Sequence, residues 1–271
     1  MTAFFLGPAG RQLFGYYHTP QGSGSGAVVL CPSWGPDYQY SHRALRVAAR
    51  RFADRGLHAL RFDYSGTGDS WGDSTDASLS RWVEDTRLAM EELKEMSGFS
   101  RVDLVGLRVG ANTAAAASAG RKDVRKLVLW EPVLDGRTWV RELDLKGTDE
   151  AGRPARPIAA GGGATISSAG GQVSNSSTTV EFSSRIVTGS LVTEFAALSP
   201  SGFAGTGAGA TLLVETIVDE ETSLTRLKSE IPGLERLFIE DAQPWREDMS
   251  ISNGLVPARA IAGITDWLVT G

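Results

Sequence analysis

Two glycines flank an arginine at the point in this chain where chemistry is expected. Val105-Gly106-Leu107-Arg108-Val109-Gly110-Ala111 joins an apolar run to an alanine-rich stretch. Glycines on both sides of the central residue let two backbone segments approach closely, which suits a sharp strand-to-helix bend. Acyl-transfer chemistry at such a bend needs a hydroxyl nucleophile and an imidazole to take its proton. Here the central residue is Arg108, whose guanidinium stays protonated at any working pH. The histidines are His18, His42 and His58, and none follows them in the chain. Nucleophile, base and acid act as a unit, and loss of one removes most of the activity. Ordinary serine-triad hydrolysis is therefore not expected.

Other candidate site residues fall around this bend. Ser33 and Trp34 follow the apolar run 27–31, and Tyr38, Tyr40 and His42 come next. Ser41 reads as a helix N-cap with His42 in the first turn, and a proton-carrying His42 is the sharper alternative. Glu131 ends the run 126–130, and Asp219 follows the run 211–217. A buried guanidinium needs a carboxylate partner, so Glu131 and Asp219 are the candidates to pair with Arg108. Direct contact of Arg108 with a carboxylate-bearing substrate is the alternative, and the two roles can coexist. Trp34 and Trp245 are expected to flank a cleft, with plain core packing as the alternative. Ser33 and Ser65 lie on loops and lack a visible base. Cys31 reads as a small buried hydrophobe.

The elements that must position these residues alternate along the chain. Strands are expected at 27–31, 58–64, 101–107, 126–130, 211–217 and 236–240. Helices are expected at 41–55, 79–96, 109–119, 220–229 and 256–268. This alternation predicts a mostly parallel sheet with helices on both faces. Residues 1–134 and 210–271 form the core in this reading. Residues 135–209 break the pattern with Gly161-Gly162-Gly163, Gly170-Gly171 and many Ser and Thr. They read as a Gly/Ser-rich insertion that covers the site as a cap or lid, with a short strand or two near 178–187. A disordered surface loop, above all over 158–180, is the alternative.

Composition removes several classes of function. The 271 residues carry 27 Lys+Arg against 32 Asp+Glu, a net charge of −5, which argues against a nucleic-acid partner. The single cysteine excludes an intrachain disulfide and a thiolate zinc site. No His, Asp and Glu cluster has metal-ligand spacing, and neither a metal nor a cofactor is expected. Gly205-Thr206-Gly207-Ala208-Gly209 precedes a strand rather than opening a helix, so it is no dinucleotide fingerprint. No apolar run nears the ~20 residues that span a bilayer, and no signal-peptide pattern opens the chain. A soluble, cytoplasmic protein with a small-molecule or peptide substrate, and no membrane partner, is the expectation.

The chain resembles the α/β-hydrolase superfamily, in particular its serine-aminopeptidase-like members. It is similar to the bacterial subgroup of exosortase A system-associated hydrolases of type 2 and their relatives in biosynthetic clusters. The resemblance rests on Phe4-Phe5-Leu6-Gly7-Pro8-Ala9-Gly10-Arg11, Ser41-His42-Arg43-Ala44-Leu45-Arg46 and Leu60-Arg61-Phe62-Asp63-Tyr64. It also rests on the Gly106-Leu107-Arg108-x-Gly110-Ala111 elbow and on Trp130-Glu131-Pro132-Val133. It covers about residues 4–140, and 211–268 more loosely. The superfamily places one oxyanion-hole N–H after the strand that ends at Cys31, a triad acid near Asp219, and the histidine after 236–240. That last stretch, Asp241-Ala242-Gln243-Pro244-Trp245-Arg246-Glu247, has no histidine.

Three functions fit a cavity without a triad. The first is a non-hydrolytic tailoring enzyme, performing proton transfer, epimerisation or cyclisation on a natural-product or modified-peptide intermediate. The triad-less epimerase of bottromycin biosynthesis is similar in architecture. The second is a pseudoenzyme that binds a ligand or partner without converting it. The third is a hydrolase with an unusual nucleophile such as Ser33.

Overall fold

The computed structural model describes residues 1–146, 179–183, 185–216, 221–246 and 255–270. The frame is an eight-stranded sheet. Its strands are β1 (Thr2–Leu6), β2 (Leu13–His18), β3 (Gly26–Cys31), β4 (Leu57–Phe62), β5 (Val102–Leu107), β6 (Val124–Trp130), β9 (Ala210–Glu215) and β10 (Glu235–Phe238). Two further strands, β7 (Thr179–Phe182) and β8 (Arg185–Thr188), form a separate antiparallel hairpin. The order across the large sheet is β1-β2-β4-β3-β5-β6-β9-β10. From β4 to β10 all neighbours are parallel, while β1–β2 and β2–β4 are antiparallel.

Helices cover both faces. They are α1 (Gly35–Asp54), α2 (Leu79–Ser97), α3 (Val109–Ser118), α4 (Gly136–Lys146), α5 (Gly189–Ala196), α6 (Glu221–Glu230) and α7 (Ala258–Val269). Two apolar layers result. Leu45, Phe52, Val105, Trp130 and Ile264 pack on the α1/α7 side. Trp82, Met90, Leu104, Ala111 and Leu129 pack on the α2/α3 side. Strands β3 and β5 are buried along their whole length, which is why they read as continuous apolar runs rather than alternating ones. Helix α2 is bounded by local chemistry. The Ser78 hydroxyl accepts from the Arg81 N–H at its start, and Gly98 takes a left-handed conformation at its end.

The sheet and its crossovers agree with the alternation read from the sequence, and three features depart from it. The β1–β2 ribbon was not anticipated: β1 is a mostly exposed edge strand with only Leu6 buried, and β2 lies between β1 and β4. Helix α1 begins at Gly35, not at 41. Trp34 precedes it without a side-chain cap, and Pro36 fits the first turn, where its missing N–H costs nothing. Ser41 is therefore no N-cap, and its hydroxyl meets that of Ser33 at 2.8 Å. Within the span read as an insertion, the helices α4 and α5 were not read from the sequence, whereas the β7–β8 hairpin falls where a short strand or two was expected near 178–187. The Gly161-Gly162-Gly163 and Gly170-Gly171 runs lie outside the described residues.

Candidate functional site

The bend after β5 is built on close backbone contact. A Cβ at Gly106 would lie 2.3 Å from the Gly110 carbonyl oxygen, and one at Gly110 would lie 2.3 Å from that of Cys31. Both glycines are thus required for α3 to pack against the ends of β5 and β3. Between them Arg108 sits at φ 55° and ψ −126°, a conformation that ordinary side chains avoid. Glu131, at the end of the neighbouring β6, has φ 48°. Two of the three non-glycine residues with positive φ among the described residues are therefore side by side here. Each such conformation costs of order 1–3 kcal/mol and persists only where the surroundings impose it. The Arg108 N–H donates to the Trp130 carbonyl at 3.0 Å, and the Glu131 N–H to that of Val214 at 2.9 Å. Val109 opens α3, so its N–H is outside the helical ladder.

The Arg108 side chain is buried, and groups of the chain itself meet it on three sides. Nε donates to Asp37 Oδ2 at 3.1 Å. Nη1 donates to the Glu131 backbone carbonyl at 3.3 Å. Nη2 faces Glu142 Oε2 of α4 at 3.7 Å. Asp37 is fully buried in the first turn of α1, where the helix dipole favours a carboxylate. It also accepts from Trp139 Nε1 of α4 at 2.9 Å. One buried cation thus ties the elbow to α1 and α4.

The expected Arg108–Glu131 carboxylate pair does not form. Glu131 presents its backbone carbonyl to Arg108, while its carboxylate is engaged elsewhere. Its Oε1 accepts from the Thr216 N–H at 2.6 Å and the Thr216 hydroxyl at 2.7 Å. Its Oε2 meets Arg246 Nη2 at 3.4 Å. The loop in which a triad histidine was sought therefore delivers Arg246 instead. Asp219 lies outside the described residues.

The remaining candidates divide between the site and the core. Ser33 is buried beside Ser41. Trp34 is buried among Trp82, Phe182 and Phe195, with centroid distances of 6.4, 6.0 and 5.2 Å. Tyr38 donates to Asp63 Oδ1 at 2.7 Å, and burial of both raises both pKa values. His42 is not at the site. It is exposed on α1, its Nδ1 2.7 Å from the Gln39 carbonyl. Trp245 packs edge-on against Trp130 at 5.6 Å in the α1/α7 layer. Ser65 is buried and donates to Asp85 at 3.0 Å. Cys31 is buried, and burial pushes its thiol up to about 12, so it is inert at neutral pH.

Asp37, Trp139, Glu142, Thr216 and Arg246 were not read from the sequence. Asp37 carried the best signal, an acid just after Gly35-Pro36, but its Arg108 partner is 71 positions away. Arg185 was also missed. Its guanidinium carbon is 5.8 Å from the centre of the Trp34 ring. It makes no hydrogen bond or ion pair among the described residues, and burial alone lowers its pKa. Among the described residues no group of three or more His, Cys, Asp or Glu is placed to hold a metal ion. None of their helices is long and apolar enough to cross a membrane.

The sheet order, its antiparallel first pair of strands and the glycine-bracketed bend after β5 define an α/β-hydrolase fold. The serine aminopeptidase S33 family model matches residues 26–154. No curated protein matches the chain. Solved structures repeat the fold over nearly its full length. Est1E from Butyrivibrio proteoclasticus, with ferulic acid bound, has a TM-score of 0.70 at 15% identity over 99% of this chain and 100% of its own. An esterase of Pyrococcus furiosus has a TM-score of 0.61 at 14% identity, covering 98% and 89%. The enol-lactonase of Burkholderia xenovorans has 0.60 at 13% identity, covering 98% and 100%. At such identities the likeness is one of fold.

Proposed function

We propose that this α/β-hydrolase-fold protein acts without serine-triad acyl transfer, as a non-hydrolytic tailoring enzyme on a small-molecule or modified-peptide intermediate. Proton transfer, epimerisation or cyclisation is its reaction class. The observation that carries this is Arg108, a buried cation paired with Asp37 where acyl-transfer enzymes of this architecture hold their nucleophile. Such a site works by binding, orienting and desolvating its substrate. Residues 135–209 form the cap in this reading. Arg185 supports an acidic group on the substrate. It is a half-buried cation over Trp34 with no carboxylate partner among the described residues, whereas Arg108 is paired with Asp37 and bonded to the Glu131 carbonyl.

The test combines fluorophosphonate labelling, a panel of activated esters, and incubation of carboxylate-bearing biosynthetic intermediates in D₂O. The expected result is no labelling, no ester turnover, and a deuterated or rearranged product whose formation falls in Arg185→Gln. Ester turnover abolished by Ser33→Ala would overturn the reading in favour of hydrolysis, which the esterase neighbours keep in view.

One observation favours a second reading, a ligand-binding pseudoenzyme. Arg108 is held by Asp37 and the Glu131 carbonyl of the chain itself, as a purely structural keystone would be. Tight binding of an intermediate that is recovered unchanged would select it.

A further inference from the structure

At the opposite end of the sheet from the elbow lies a surface cavity of about 540 Å³. His18 closes β2 and pairs with Ala59 near the start of β4, which places the cavity below the N-terminal ends of the parallel strands. Its other wall is the C-terminal half of α1, with Arg46, Val47, Arg50 and Asp54. Arg46 and Arg50 are four residues apart, so they share one helix face as like charges, an arrangement that destabilises a helix unless something offsets it. Neither makes an ion pair or hydrogen bond among the described residues, and both are exposed. His18 is 5% exposed and reaches into the same cavity, with its Nε2 3.4 Å from Arg61 Nε. Burial, together with Arg61, the N-terminal ammonium and Arg50, holds it down to about 4, so it is a neutral hydrogen-bonding group at neutral pH.

We propose that this cavity binds a small phosphate monoester, with Arg46 and Arg50 gripping the phosphate and His18, Thr19 and Asp54 meeting the hydroxyls of the organic part. Charge and size both favour this ligand. A phosphate monoester carries about −1.5 to −2 at neutral pH, which matches two guanidiniums. The volume exceeds what a bare ion fills and lies in the range of metabolite sites. Asp54 would repel a second anionic group but accepts from sugar hydroxyls, which favours one phosphate on a polyol. The site is independent of the elbow and of the reaction assigned there.

The experiment is calorimetric titration of the whole protein at fixed ionic strength with glucose 6-phosphate, inorganic phosphate and glucose. Saturable binding of the sugar phosphate, weaker binding of inorganic phosphate and none of glucose are expected. Arg46→Gln with Arg50→Gln should weaken sugar-phosphate binding by about tenfold or more. Arg43→Gln, an exposed change on the same helix outside the cavity, should leave it intact. A thermal melt of each variant separates lost binding from lost folding. No saturable binding at millimolar concentration, or equal binding by the double variant and the parent, would overturn the proposal.

Discussion

Arg108 and Asp37 are best understood as one unit. Each is buried, and each loses its close charge partner when the other is removed. Removing one partner of a buried pair costs about 3–5 kcal/mol, whereas replacing both often costs little. Arg108→Met should therefore lower stability by about that amount. Arg108→Met combined with Asp37→Asn, which keeps an acceptor for Trp139, should recover most of the loss. Urea denaturation of the single and double variants measures the coupling. Glu142 differs, because its side chain is 40% exposed and its oxygen lies at 3.7 Å. Glu142→Gln should change stability by less than about 1 kcal/mol. Arg108→Ser should give no esterase in a p-nitrophenyl ester assay, since the chain has no histidine after His58 to activate the new hydroxyl.

At the scale of elements, the elbow depends on backbone against backbone. Because the atom nearest a Cβ at Gly106 is a main-chain oxygen at 2.3 Å, no rotamer change relieves the clash. Gly106→Ala should destabilise more than an ordinary helix or strand substitution, by several kcal/mol on the scale of core overpacking (about 1–3 or more). Melting temperature or soluble yield checks it. Strand β2 carries a pH-dependent term through His18. Its folded pKa, about 4, lies below the ordinary 6.5, so the unfolded chain binds more protons between those values. The sign follows directly. Stability is fully present above 6.5 and falls as pH descends toward 4. His18→Gln should flatten that slope in denaturant midpoints measured across the window.

Across the whole molecule, the segments between β6 and β9 dock onto the sheet through a few aromatic and polar anchors. Trp139 packs edge-on against Phe195 at 5.0 Å and donates to Asp37, while Phe182 and Phe195 close over Trp34. Trp139→Phe keeps the aromatic contact and loses the bond to a buried carboxylate, a cost of about 1.5–3 kcal/mol. Faster proteolysis within α4 than in the parent, with the sheet core intact, is the expected signature.

The alternation of apolar runs and amphipathic helices, the two glycines of the elbow, the cation between them and the absence of a late histidine are all properties of the chain written out in order. They were enough to specify the parallel part of the sheet and its crossovers, because periodicity and steric need are local; the antiparallel β1–β2 ribbon was not legible in the same way. Which carboxylate neutralises Arg108 was settled only by the folded chain. Asp37 and Trp139 are 102 positions apart, and both reach the elbow because β3, β5 and β6 end side by side. The same convergence set the carboxylate of the expected partner, Glu131, against Thr216 and Arg246. Charge pairing depends on distances between strand ends, and no spacing along the chain encodes those.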